Sequence, residues 1–253
     1  GTFYVLERNK IKTITYHEWK PWKKTKLGIA KLKKELKEIN NNIIEKLIKS
    51  CTSRKIIIPL SAGYDSRFIL SGLIDKGYKN IITYSYGRKN NREAKIAKKI
   101  AQFLNIPWFY INYNNFNQRN IMLSKVYEDY KAFSDLTSAV HFPQDFQAIL
   151  YLKNKNLIPN DSIFVNGQTG DFISGNHIIT KNKYKSINSI LEIYILKHYK
   201  IWDSLIKRNK KLILDSLISR ISNFSEKNLK NELLLELLQK LEYEDRQAKY
   251  VMG

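Results

Sequence analysis

The sequence predicts an α/β fold: a parallel sheet with helices on both faces, followed by an all-α extension. Three observations carry that prediction. Short apolar runs alternate with stretches of roughly ten to fifteen residues whose Leu, Ile and Ala recur at helical spacing. The first sheet-like run, Ile56-Ile57-Ile58-Pro59-Leu60, breaks abruptly into the small and hydroxyl residues Ser61-Ala62-Gly63-Tyr64-Asp65-Ser66-Arg67, where a helical pattern starts. Beyond about residue 185 the strand pattern stops and helical spacing alone remains.

Taken in order, Thr2–Leu6 and Ile11–Tyr16 read as two strands around a Glu-Arg-Asn-Lys turn. A lone hairpin is marginal in water, so this one is expected to close a preceding domain, with residues 1–22 as hairpin and linker. Leu32, Leu36, Ile39, Ile43 and Leu47 mark an amphipathic helix over 27–49. A strand at 55–60, a helix over 65–76 ended by Gly77, and a strand at 81–86 stopped by Gly87 follow. Ala94, Ala97, Ile100, Ala101 and Leu104 place a helix over 92–104, and Pro107 introduces a strand at 108–113. Helices over 119–133 and 143–153 precede a strand at 162–165. Such alternation implies right-handed crossovers and a sheet covered on both sides. The expected domains are 23–184 for the sheet and 185–253 for the helical extension, which is expected to be truncated at its C-terminus.

The chain has 253 residues and a net charge of +21, from 44 Lys plus Arg against 23 Asp plus Glu. That excess suggests a nucleic acid or another anionic partner. It is mostly Lys spread along the whole chain, with Arg scarce, and a solvated basic surface accounts for it better. No apolar run reaches membrane-spanning length. A single cysteine, Cys51, excludes an internal disulfide and a zinc cluster, and points to a reducing cytoplasm with Cys51 as core filler.

The chemistry falls where strands end. A strand, a tight loop and a helix N-terminus present backbone N–H groups to phosphate. Ser61, Gly63 and Ser66 add hydroxyl donors and close approach. Asp65 would repel a bare phosphate but suits a Mg²⁺ ion set between carboxylate and phosphate oxygens. The second strand ends at Ser85-Tyr86-Gly87, whose backbone could grip an adenine edge, and the fourth ends at the Gly-rich Asn166-Gly167-Gln168-Thr169-Gly170-Asp171-Phe172. Neither a Walker A loop nor a dinucleotide fingerprint is present, because the Lys-Ser/Thr pair and the glycine spacing are missing. An ordinary βα turn with Asp as N-cap is the rival reading for both loops.

Ser61-Ala62-Gly63-Tyr64-Asp65-Ser66 resembles the Ser-Gly-Gly-x-Asp-Ser loop of the N-type ATP pyrophosphatases, and furthest the synthetase domain of the asparagine synthase-like amidotransferases. Ser85-Tyr86-Gly87 with Glu93, Ala94 and Ala97 is similar to that family's second strand and following helix. Asn166–Asp171 stands where the family has Ser-Gly-Glu-Gly-x-Asp, and the hairpin is similar to the end of its glutaminase domain. The likeness covers about residues 1–177, with weaker support at Glu244–Lys249.

The resemblance implies an adenine nucleotide alpha hydrolase-like (Rossmann-like) fold. It also implies an ATP-dependent, AMP- and pyrophosphate-forming ligase that adenylates a small carboxylate for amide formation with ammonia. Asp65 and Asp171 would hold Mg²⁺, with Arg67 beside them able to reach phosphate or a carboxylate. Ser61, Ala62, Gly63, Tyr64 and Ser66 would surround the pyrophosphate, Ser85, Tyr86 and Gly87 the adenosine, and Gly167 and Gln168 would complete the site. Ala62 replaces a Gly, which is tolerable at negative φ. Gln168 replaces a Glu thought to deprotonate the attacking amine, and Gln is no base. Phe172 replaces an acidic residue. These changes leave adenylation in place and put amide formation in question. Asp135, Thr137, His141, Gln144 and Asp145 are candidates for the acceptor pocket, with helix caps and surface positions as the rival. A tRNA-modifying enzyme on the same scaffold, or a nucleotide-binding domain without turnover, are the alternatives.

Overall fold

The computed structural model describes residues 2–23, 25–134, 143–168, 170–175, 186–200, 203–224 and 233–251. The chain groups into two units, Leu27–Gly170 and a second made of Gly1–Lys26 with Asp171–Gly253. It opens on the antiparallel hairpin β1 (Thr2–Glu7) and β2 (Lys10–Thr15), in register from Thr2 opposite Thr15 to Glu7 opposite Lys10.

The first unit runs α1 (Ile29–Cys51), β3 (Ile56–Pro59), α2 (Tyr64–Asp75), β4 (Ile81–Gly87), α3 (Arg92–Phe103), β5 (Trp108–Asn112), α4 (Asn115–Met122), α5 (Lys125–Ser134), α6 (Phe146–Asn154) and β6 (Ile163–Phe164). Its sheet has the order β5-β4-β3-β6, with every neighbour parallel. The α/β class expected from sequence is therefore the observed one. β3 is central, and its Ile56, Ile57 and Ile58 are wholly buried. Period-two alternation sends Ile56 and Ile58 against α1, α2 and α3, and Ile57 against Ala148 and Leu152 of α6. Cys51 packs in the first of these clusters as filler. Ala94, Ala97 and Ala101 are the buried positions of α3, small enough to seat the helix closely on the sheet. Truncating a residue such as Ile57 to Ala should cost about 2–5 kcal/mol.

Two boundaries differ from the sequence expectation. The single helix expected over 119–133 is two, α4 and α5, because Ser124 interrupts it: its Oγ donates to Ile121 O (2.6 Å) and accepts from Tyr127 N–H (3.3 Å). The helix expected from 143 starts at Phe146, after Pro143 and a turn.

α7 (Gly170–Ile173) starts at the last residue of the first unit, and in the second unit α8 (Ile187–His198), α9 (Asp203–Phe224) and α10 (Leu234–Glu242) follow. α10 continues as a π-helix over Tyr243–Val251. Ser186 and Ser189 form a reciprocal cap at the start of α8. Leu191, Tyr194, Leu217, Leu237 and Leu241 lie in the core of this unit. No helix of the described residues is long and apolar enough to cross a membrane.

Candidate active site

β3, β4 and β5 succeed one another towards one edge of the sheet, whereas β6 returns to the other side of β3. The order reverses between β3 and β6, and open α/β sheets bind ligands beyond the carboxyl ends of strands at such a point. The loops Ser61–Gly63 and Val165–Gln168 leave β3 and β6 there.

The first loop is organised by its own hydroxyls. Ser61 N–H donates to Ser66 Oγ (3.2 Å), and Gly63 N–H donates to Ser61 Oγ (3.0 Å). The N-cap of α2, Gly63, carries no side chain to satisfy the first-turn N–H groups, which lack intrahelical acceptors. Ala62 does not adopt positive φ, so its methyl fits the turn. Arg67 folds back: its Nε donates to Gly63 O (3.0 Å) and its guanidinium lies 4.6 Å from the Tyr64 ring centroid.

The second loop closes on the first. Asn166 Oδ1 accepts from Gln168 N–H (3.1 Å), which turns the chain. A Cβ on Gly167 would stand 2.7 Å from Ser66 N and 2.9 Å from Asp65 Cβ, and one on Gly170 would collide with the Asp65 carboxylate. At 167, where backbone is met, only glycine allows that approach; at 170 any other residue would require the Asp65 side chain to turn away. Among the described residues the Asp65 carboxylate has neither a hydrogen-bond nor an ion-pair partner, and it stays exposed. No three His, Cys, Asp or Glu side chains come together as a metal centre among the described residues. A cation on Asp65 would therefore draw most of its ligands from water and phosphate, the usual manner of Mg²⁺. The residues fit Mg²⁺-nucleotide in that sense.

A cavity of ≈ 390 Å³ opens at the ends of β3 and β4, lined by Ser61, Ser85, Tyr86, Gly87, Asn91 and Tyr113 among others. Tyr86 stacks on Tyr113 at 4.9 Å, giving the cavity an aromatic wall. Gly87, at φ +140°, turns β4 into the N-cap of α3, where Asn91 Oδ1 accepts from Glu93 N–H (2.8 Å). The Ser85 hydroxyl is tied into the sheet, donating to Leu60 O (2.6 Å) and accepting from Trp108 Nε1 (2.9 Å). What Ser85 offers a ligand is thus its backbone. Burial raises the Tyr86 phenol, and the facing Asp145 carboxylate raises it further. Burial likewise raises Asp145, against the opposing effect of Tyr86.

No protein-family model matches the chain. It is similar to the 7-cyano-7-deazaguanine synthase of Methanoregula boonei, 38% identical over 64 residues, which are 25% of this chain and 30% of that one. It is also similar to the synthase of the same name from Microcystis aeruginosa, 44% identical over 55 residues, 21% of this chain and 24% of that one. The match spans less than a third of the length of either curated relative. Neither relative is named as an asparagine synthase or an amidotransferase. The NH3-dependent NAD synthetase from Campylobacter jejuni subsp. jejuni NCTC 11168, in complex with the nitrate ion, overlays on 78% of this chain and 99% of its own at a TM-score of 0.38 and 13% identity. That overlay is too loose to place a residue.

The structure brings Asp65 and Ser66 against Gly167, and Asp65 against Gly170, and it sets Ser61, Ser85, Tyr86 and Gly87 along the neighbouring cavity. Asp171 follows Gly170 in the chain, on the first turn of α7. Phe172, which stands at an acidic position of the resembling family, packs with Trp19 and Tyr243 at 5.6 and 6.0 Å in the second unit. Asp245, in the weakly matching tail, is bound by Tyr194 (2.8 Å) and Arg220. Asp135, Thr137, His141 and Thr169 lie outside the described residues, while Asp145 faces Tyr86. Sequence reasoning missed Asn91 and Tyr113 as lining residues. An Asn just before a helical pattern was the available signal for the first, and a Tyr just past the β5 run for the second.

Proposed function

We propose that this chain is an ATP-dependent enzyme of the PP-loop kind, which transfers adenylyl to an acceptor oxygen, releases pyrophosphate, and lets a nitrogen nucleophile displace AMP. One observation carries the reading. An unpartnered carboxylate, Asp65, is kept open by two glycines of a second loop at the sheet's switch point, beside a helix N-terminus with uncapped N–H groups.

Mg²⁺, when bound, would neutralise charge on the departing pyrophosphate. Asp65 would hold it, with Asp171 as the second carboxylate by resemblance. The N–H groups at the start of α2 and the Ser66 hydroxyl would orient the phosphates, stabilising charge without reorganisation. Tyr86 and the backbone of Ser85–Gly87 would receive the adenosine. Arg67 in its present place steadies Tyr64 and Gly63, and would reach substrate only by leaving them.

For the acceptor, the likeness to the curated relatives fits a related ATP pyrophosphatase better. A tRNA-modifying enzyme on the same scaffold would give the +21 charge a purpose. The asparagine synthase-like amidotransferase, acting on a small carboxylate with ammonia, rests on the two loops and the hairpin. ATP–pyrophosphate exchange screened across carboxylic acids, beside salt-dependent tRNA binding, separates the two. Exchange that requires one acid and falls at least tenfold in Asp171→Asn supports the amidotransferase. Tight tRNA binding weakening steeply with salt supports the other. Absence of exchange with every acid and of turnover with tRNA would leave a nucleotide-binding domain.

A further inference from the structure

A second cavity lies apart from the one proposed to take the nucleotide. A cavity of ≈ 740 Å³ lies against β5, between α4 and α6, and shares no lining residue with the cavity at the ends of β3 and β4. β5 stands two strands away from β3.

Its lining has a distinct chemistry. Asn112, Asn117, Asn120, Asn154 and Gln147 bring five carboxamides, and Lys155 is the one charged residue among those that line it. A carboxamide presents a carbonyl acceptor and two N–H donors together. An anion would meet a single cation here, a cation would meet no counter-charge, and a hydrocarbon would leave the carboxamides it covers without partners. A hydroxyl, which both donates and accepts, matches them. Tyr151, 43% exposed, adds a flat apolar face at the rim.

The second observation is Gln147. It is 8% exposed and lines both this cavity and a smaller neighbour of ≈ 110 Å³. Its amide makes no hydrogen bond with any described residue. Its amide atoms are open rather than sealed, and an amide that reaches a cavity without a protein partner is placed for something that enters it.

From these two observations we infer that the cavity beside β5 is a binding site for an uncharged saccharide, held by the carboxamides of Asn117, Asn120 and Gln147 with Tyr151 against a ring face. The volume lies within the range of small-molecule pockets. The site is independent of the nucleotide reading and stands or falls without it.

The test is saturation-transfer NMR on the full chain with uncharged mono- and disaccharides such as glucose, galactose, N-acetylglucosamine and their β-linked pairs, followed by titration calorimetry. At least one should bind saturably. Gln147→Leu should weaken that binding at least tenfold while the circular dichroism spectrum of the unliganded protein is kept. Asn117→Ala, at an exposed position, should weaken binding at least threefold without moving Tm, and decides the matter should Gln147→Leu fail to fold. Absence of saturable binding by every saccharide would overturn the inference, as would unchanged affinity in both variants. Binding of an uncharged oligopeptide along β5, with no saccharide competing, would overturn the ligand class.

Discussion

The two units treat charge differently, one pairing buried groups and the other leaving an exposed carboxylate open. In the helical unit charges are paired: Glu242 accepts from Lys197 (2.5 Å) and contacts His198 (2.6 Å), Asp245 holds Arg220 and Tyr194, and the almost wholly buried Lys240 donates to Trp19 O (2.8 Å) and meets Glu244 (3.2 Å). In the α/β unit Asp65 stands unpartnered at a strand end, and glycines keep other side chains from covering it. Paired buried charges hold elements together. A carboxylate kept open where two loops converge marks a place for a ligand, and that is why the chemistry is assigned to the first unit.

Filling the gap should break this contrast first. Gly170→Ala would drive a methyl into the Asp65 carboxylate, so Mg²⁺-ATP affinity should fall at least a hundredfold by calorimetry while the circular dichroism spectrum is kept. Affinity within twofold of wild type would show that the two loops do not cooperate.

Opposite pH responses sharpen it next. Burial alone would raise Glu242, but His198 and Lys197 hold it below its ordinary value of 4.5. Folding therefore favours its ionised form; that contribution is complete above 4.5 and is lost as pH falls through the lower folded value. Glu242→Gln should cost about 3 kcal/mol at pH 7, with the gap narrowing in acid, measured by urea denaturation. Asp145 is raised above 3.8 by burial, so the folded state binds its proton more tightly and stability drops as pH climbs from 3.8 through the raised value. Asp145→Asn should thus raise Tm at pH 7 and leave it unchanged well below 3.8. Equal pH responses in the two variants would erase the distinction.

The smallest effect is expected at Ser85. Its Ala variant leaves Leu60 O and Trp108 Nε1 without a partner and should cost about 1–2 kcal/mol, with ATP affinity within twofold. A large loss of affinity at unchanged stability would mean that the hydroxyl itself touches the nucleotide.

Much of the α/β unit was legible because its signals are local. Ile56–Ile58 announces a strand buried on both faces, the alanines of α3 announce a close helix, and the hydroxyl-rich break after Leu60 announces a loop at a strand end. The junction at Ser124 was not legible, since a serine within an apolar period can equally face solvent and only its bonds to Ile121 and Tyr127 show the interruption. Nor were the roles of the helical unit's charges. Arg220 and Asp245 are 25 positions apart, and no period links them. Gly167 and Gly170 read as a Gly-rich loop, but that they press on Asp65 emerges only once β6 is placed beside β3.

The dependence of ATP affinity on Mg²⁺, in wild type and in Asp65→Asn, tests the central claim most directly. The account predicts that Mg²⁺ strengthens ATP binding at least tenfold in the wild type and less than twofold in the variant, with equal Tm for the two unliganded proteins. A tenfold Mg²⁺ enhancement that survives in Asp65→Asn would contradict it.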